Sequence, residues 1–476
     1  MPVTYIRVDH FNGGGSPVRA YKVVPDETAQ PSFTRRSRLL WRPPGWLLIG
    51  LVGLMAVAAY MVRHELFAPA STDHVAAEAS APSVARAKPS ITVLPFDNMS
   101  NDPSQAYFAD GIAEDIITDL SQEPGLLVIA RNSSFAYRGR RTKVQDIGRE
   151  LGVRYVLQGS VRRSVDKVRI NAQLLDAETG MNLWANRYDG NLKDVFLIQD
   201  DIGRQIVAAL AARLLDVRPT NPAVGTRNIN AYDLYLRAWS DLHEPTPWGT
   251  ASAVSLLNKA IALDPNYARA HAAIAWAYLM AFRFTWHQSL GIESRYYALD
   301  LAARHVEQAM QNPNALAYRI RAELNYREGR YDEVAKDIAR ARALDPNNAA
   351  AIALLGRVRV KSGIADEAMG LFREAIRLDP NKHLYVAWMG VAEFARGNLA
   401  ESARLIEQAV SRNLTDHYHL NVLIAAHALL GNLDRARSRL ATMNALRSQI
   451  GLRPYTRFAA SYSIHFDQEC DLFRLR

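Results

Sequence analysis

Gly329, Gly363, Gly397 and Gly431 stand 34 residues apart without slippage. A fixed period of this length marks stacked helix–turn–helix units. One such unit cannot bury its own apolar face, so three or more must pile against one another. The product is a curved stack whose concave side is a long docking surface. A chain so constrained is helical over the repeated stretch, and it contributes surface rather than reaction chemistry.

Other residues keep the same period. Pro346 and Pro380 close "ARALDPN" and "AIRLDPN", and Pro265 closes a third copy, "AIALDPN". Each proline stops the second helix of its unit and opens the turn to the next. Ala260, Ala341, Ala375 and Ala409 recur where the two helices of a unit come closest, and Gly356 and Gly390 hold the matching small position on the first helix. These marks resemble the tetratricopeptide repeat. The resemblance implies five to six units over 228–444, regular from about 315. Between Phe282 and Pro313 the pattern lapses, and "RFTWHQSLGIESRYY" reads as an insertion or a degenerate unit. The inner-groove positions fall at Leu316, Arg319, Glu323, Tyr326, Arg357, Val360, Leu384, Val391, Phe394, Tyr418 and Asn421. Arginine forks and aromatic faces in such a groove suit capture of a protein or peptide partner. The same face could instead pack on the chain's own first domain or on its C-terminal segment, 445–476.

Composition is that of a globular chain, 49% apolar and 22% charged. The formal net charge of +9 comes largely from arginines scattered over helical segments. With no clustered recognition motif, nucleic acid is not an expected partner. The one cysteine, Cys470, excludes an internal disulfide and a cysteine-based metal site.

Gly45 to Val62 is an uncharged run of 18 residues, "GWLLIGLVGLMAVAAYMV". As a helix it would span about 27 Å, close to the hydrocarbon thickness of a bilayer. Trp41, Trp46 and Tyr60 lie at its boundaries, as interfacial aromatics do. Arg35, Arg36, Arg38 and Arg42 precede it, so the positive-inside rule puts a stub, 1–44, in the cytoplasm and the bulk of the chain outside. The expectation is a retained, single-pass inner-membrane helix over 45–63 with a periplasmic remainder, rather than a cleaved signal peptide. An Ala/Pro/Ser-rich linker, 64–89, follows.

From Ser90 the pattern changes to strands and helices in the order β-α-β-α-β-β-β-α, ending near Leu215. Phe108, Ile112, Ile116 and Leu120 form one helical stripe, and Val168, Ile170, Ala172 and Leu174 alternate with polar residues along a strand. Asp110, Glu114 and Asp115 read as carboxylates that stabilise the helix start and keep it soluble. The strings "SITVLPFDNMSNDPSQAYFADGIAEDIITDLS", "LLVIARNSSFAYRG", "IGRELGVRYVLQGSVRRS" and "VRINAQLLDAETGMNLWANRYD" resemble the TolB-amino-terminal-like domain of bacterial membrane proteins. That resemblance implies a non-catalytic domain over 90–215, of the kind that precedes tetratricopeptide repeats and follows a class III adenylate cyclase domain or a winged helix across a membrane helix. The expected fold is therefore an α+β sandwich domain, then an all-α tetratricopeptide solenoid, with one N-terminal transmembrane helix.

No phosphate-binding loop, nucleophile elbow, zinc-protease motif or cysteine cluster occurs. His305, His383, His417, His419 and His427 lie at spacings that suit surface or packing roles, and the Asp-Pro pairs read as helix-end punctuation. No catalytic residue, cofactor or metal is expected. "FNGGGSPVRAYKV" (11–23) resembles the last strand of a class III cyclase domain, though 1–44 cannot hold such a domain. Two functions stay open: a periplasmic binding, scaffolding or sensing protein, and a remnant, truncated form or regulatory part of an adenylate cyclase signalling protein. Oligomeric state is not legible.

Overall fold

A computed structural model describes residues 88–211, 225–243, 245–412 and 417–449. The expected cytoplasmic stub, membrane helix and most of the linker lie outside these residues, as do 212–215 and the C-terminal segment beyond 449. Among the described residues no helix is long and apolar enough to cross a membrane.

The first region is one mixed sheet covered by helices. Its strands are β1 (Ser90–Val93), β2 (Asp97–Asn98), β3 (Leu127–Val128), β4 (Tyr155–Ser164), β5 (Lys167–Asp176) and β6 (Asn182–Asn191). They lie in the order β3-β1-β4-β5-β6, with β2 paired to β4. β3, β1 and β4 run parallel, and β4–β5–β6 is an antiparallel meander. The alternation along β5 does what a period of two requires: Val168, Ile170, Ala172 and Leu174 are buried and the residues between them face outward. The single sheet replaces the two-layer sheet that "sandwich" could imply. The strands expected over 90–96 and 126–131 are shorter, because Pro95 cuts the first and the helix at Arg131 cuts the second.

One face of the sheet is covered by α1 (Ala106–Ser121) and α4 (Val195–Ala211). The stripe Phe108, Ile112, Ile116 and Leu120 is fully buried there, against Ile91, Leu157, Ile170 and Ile202. The other face carries α2 (Arg131–Phe135) and α3 (Val144–Leu151), and then the solenoid itself.

Among the described residues the solenoid holds six helix pairs: α5 (Ile229–His243) with α6 (Pro247–Leu263), α7 (Ala268–Arg283) with α8 (Arg295–Ala309), α9 (Ala315–Arg327) with α10 (Tyr331–Leu344), α11 (Ala349–Lys361) with α12 (Ala365–Leu378), α13 (His383–Ala395) with α14 (Leu399–Val410), and α15 (His417–Leu429) with α16 (Leu433–Gln449). The irregular stretch is a complete pair, α7–α8, whose connection is lengthened by a short helical turn, His287–Leu290. The four glycines of constant spacing have φ between +74° and +82°, a conformation that a Cβ would strain. Gly390 serves another need: a Cβ there would lie 2.5 Å from Ile406 Cγ1 and 3.1 Å from the Ser402 carbonyl, so only glycine lets α13 and α14 approach this closely.

Sheet region and solenoid share their cores. Leu127, Ile129, Val156, Ile147 and Leu151 form one apolar cluster with Ile352, Phe372, Tyr385 and Trp388 of α11–α13. The "LDPN" turns make the joint specific. Asn347 donates its amide to the carbonyls of Ser121 and Leu126 and accepts from the Val128 N–H. Asp379 accepts from the Ser133 hydroxyl at 2.6 Å and from Asn132 at 3.1 Å, and the Asn381 N–H donates to Ser133 Oγ. These turns thus dock the sheet region as well as punctuating helices. The third copy bonds within the solenoid, with Asp264 accepting from Thr226.

Candidate functional site

Tetratricopeptide periodicity arranges the inner residues in columns 34 apart, and the structure shows where each column goes. Leu316, Ala350, Leu384 and Tyr418 form the first column, and all four line a cavity of about 1260 Å³. Arg319 and Ala353 of the next column, and Glu323 and Arg357 of the third, line it too. The opposite side belongs to the sheet region: Glu114, Asp115, Thr118 and Asp119 of α1, with Phe196, Gln199 and Asp200 of α4. The concave face is therefore partly occupied by the chain's own first region, and what remains is a half-open cleft between the two.

Five of the groove positions expected from sequence do not line the cavity. Tyr326, Val360 and Phe394 form the fourth column and are 7%, 3% and 9% exposed. They sit in the last turn of the first helix of each unit, where apolar clusters within the solenoid close over them. Val391 continues the third column but is sealed in the cluster shared with the sheet region. Asn421 is half-buried and lies away from the cavity lining. Leu316, Arg319, Glu323, Arg357, Leu384 and Tyr418 are brought together.

The solenoid wall is dense in arginine and aromatic groups. Arg357 donates to both Glu323 oxygens, at 2.9 and 3.0 Å, across one repeat period. Its guanidinium also lies 4.2 Å from the Tyr326 ring centroid and 4.9 Å from that of Trp388. Arg319 stacks over Trp276 at 4.5 Å. Arg295 and Arg327 both stack on Phe282, at 4.5 and 4.6 Å. Burial alone would raise the Glu323 carboxyl, but Arg357, Arg327 and Arg283 outweigh it and hold it down at about 2. Burial pulls Arg319 below the usual arginine range despite Glu323 nearby.

On the sheet-region wall the carboxylates of α1 are not the solvated helix-start charges expected from sequence. Glu114 pairs with Arg131 at 3.0 Å and His243 at 2.8 Å and accepts from Trp239 at 2.6 Å. Burial opposes its charge, yet His243, Arg131 and Trp239 prevail and keep it at about 2. Asp115 accepts from Arg269 at 2.7 Å, from Gln199 and from the Tyr232 hydroxyl. Asp110 pairs with Arg138. Asp119 behaves differently, because burial and the neighbouring Asp115 push it up to about 8.

Trp276, Arg283, Arg295, Arg327 and Trp388 were missed from sequence. Trp388 shares a column with Leu354, one position from those chosen, and was recoverable from the period. Arg283 and Arg295 flank the lengthened connection, where the period gives no anchor. Among the described residues no group of three or more His, Cys, Asp or Glu is placed to hold a metal ion. His419 and His427 are buried packing residues, and His427 faces Glu407 at 3.2 Å. At the cavity Glu114, Asp115, Glu323 and Arg357 are held in ion pairs, and Arg295, Arg319 and Arg327 stack on aromatic rings.

Comparison with known proteins agrees with the repeat architecture. A tetratricopeptide-repeat family model matches residues 325–389. The chain is 49% identical over 202 residues to Putative adenylate cyclase 3 of Rhizobium meliloti (strain 1021), a match covering 42% of this chain and 34% of the relative. The chain thus spans about a third of that relative's length. Among solved structures it is similar to PilF of Pseudomonas aeruginosa, at 18% identity, over 46% of this chain and 92% of that one, with a TM-score of 0.35. It is similar to TolB of Acinetobacter baumannii at 19% identity, over 26% and 29% of the two chains, with a TM-score of 0.22. The chain carries a tetratricopeptide region and is related over 202 residues to a putative adenylate cyclase.

Proposed function

We propose that this chain is a regulatory part of an adenylate cyclase signalling system, held at the inner membrane by residues 45–63 with its sheet region and solenoid in the periplasm. The observation that carries the reading is the likeness to the Rhizobium meliloti protein, whose name assigns it cyclase activity. The described residues contribute recognition, so the proposed role is control of a cyclase and not turnover of nucleotide. The TolB-like sheet region, clasped by the repeats through Asn347 and Asp379, would act with them as one body. A partner or ligand that alters this body could bias what lies across the membrane.

One experiment tests both location and association. The full chain is captured from intact spheroplasts after treatment with a membrane-impermeant cross-linker. The chain itself should carry the reagent, and a polypeptide with a class III cyclase domain should come down with it. A chain that the reagent does not reach overturns the periplasmic placement. A labelled chain captured without any cyclase polypeptide overturns the regulatory role.

A further inference from the structure

Two histidines meet between α7 and α8. The Nδ1 atoms of His271 and His305 lie 3.1 Å apart, and their ring centroids 5.4 Å apart. His271 is buried, and its Nε2 lies 3.1 Å from the Pro265 carbonyl oxygen. A carbonyl only accepts, so this nitrogen carries a proton. A neutral His271 then has a bare Nδ1, which accepts from the His305 Nδ1–H. One run of hydrogen bonds thus ties the "LDPN" turn after α6 to α7, and α7 to α8.

This arrangement sets a strict limit on protons. With both rings neutral it is complete. A first added proton is absorbed when His271 donates from both nitrogens and His305 takes its other tautomer, leaving its own Nδ1 bare. A second puts an N–H on each Nδ1, so that two donors face each other with no lone pair between them. Two like charges in a desolvated contact then repel as well.

The surroundings supply no counter-charge. Tyr278 of α7 lies against His305, with ring centroids 5.8 Å apart. Arg304 of α8 lies over Tyr297, and Arg269 of α7 pairs with Asp115. Among the described residues no ionised group of α6, α8 or α9 bears on either imidazole apart from the other ring. Burial lowers His271 against the pull of the Pro265 bond, and burial together with the nearness of His271 takes His305 down to about 4.

We propose that the His271–His305 contact is a proton-operated latch on the second helix pair of the solenoid, closed when both rings are neutral and open when both are charged. His305 is half-buried, so its ring stays within reach of solvent protons. Released from the helix pair, the ring titrates near 6.5, against about 4 in place. Below 6.5 the open state therefore takes up a proton that the closed state refuses, so closure is full above that value and weakens as pH falls toward 4. α7 and α8 carry Trp276, Arg283 and Arg295 to the cavity lining, so opening reshapes that wall. Such a latch adds an acid response to the role proposed above and does not depend on it.

The test is hydrogen exchange read by mass spectrometry on the full chain in detergent, corrected for intrinsic rates. Between about pH 6.5 and about pH 4.5, protection of α7–α8 should fall about tenfold per pH unit, the dependence of an opening that binds one proton. His305→Asn places an amide nitrogen where Nδ1 stood. That amide donates to a neutral His271 or turns its oxygen to a charged one, so protection should be flat over the same range. His271→Gln keeps a donor for the Pro265 carbonyl and removes the other titrating ring, and it should flatten the slope as well. Melting curves at neutral pH show which variant is folded, and either one suffices. Flat protection of α7–α8 in the wild type overturns the latch. So does an unchanged slope in a folded variant. Should neither variant fold, a wild-type slope confined to α7–α8 upholds the latch, and one shared by the whole solenoid overturns it. A failed cyclase capture leaves all these outcomes as they are.

Discussion

On the sheet-region side of the cavity, Glu114 and Asp115 are answered by cations that the fold itself supplies: Arg131 and His243 for one, Arg269 for the other. On the solenoid side the proportion is reversed, with Glu323 meeting Arg357 directly while Arg283, Arg319 and Arg327 crowd around it. Both walls bury charge and answer it with partners from within the fold. Buried charges that are paired within a fold serve to fix its geometry. The contrast is between carboxylates each tied by cations and arginines gathered on one carboxylate and on aromatic rings.

The largest expected effect breaks the solenoid wall without touching the cavity. Gly390→Val places atoms against Ile406 and the Ser402 backbone, forcing α13 from α14. Overpacking of this kind should cost about 3 kcal/mol. Because α11–α13 share an apolar cluster with the sheet, hydrogen exchange should rise in β3 and β4 as well as in α13. If the strands keep their protection while the repeats lose theirs, the two walls are separate folding units and their comparison is one of neighbours, not of one body.

A smaller change tests the joint. Asn347→Ala removes three hydrogen bonds and leaves the Val128 N–H and the Ser121 and Leu126 carbonyls to find water. The expected loss is about 2 kcal/mol, read from urea unfolding. Exchange at Val128 should quicken before that of the solenoid helices. An unchanged unfolding midpoint would show that apolar contact alone holds the regions together.

The period made most of the solenoid legible, because glycine, proline and small-residue positions report directly on turns and close contacts. It placed Leu316, Leu384 and Tyr418 in one column, and all three reach the cavity. It failed at Val360 and Phe394, since a column says which residues are equivalent and not whether a neighbour covers them. The alternation in β5 and the stripe of α1 were equally plain. What no local pattern could show was that Asn347 and Asp379 grip Ser121, Leu126 and Ser133 from more than 200 residues away. The same holds for Glu114 and Asp115. Their spacing at a helix start is compatible with solvation, and only the partners brought by Arg131, His243 and Arg269 make them buried ties.

The smallest expected effect concerns the exception on the sheet-region wall. Asp119 has a carboxyl pushed up to about 8 by burial and by Asp115, against about 4 in an unfolded chain. Between those two values the folded state holds a proton that the unfolded state has released, so this residue makes stability fall as pH rises from about 4 to about 8. Asp119→Asn mimics the protonated form at every pH. The variant should match the wild type near pH 4 and melt at a higher temperature near pH 8, with the gap opening steadily between. Thermal melts across that range read the difference directly. A constant gap would mean that Asp119 is neutralised within the fold like Glu114. The sheet-region wall would then be fully self-satisfied, and the contrast with the arginine wall would be sharper than the burial of this one carboxyl allows.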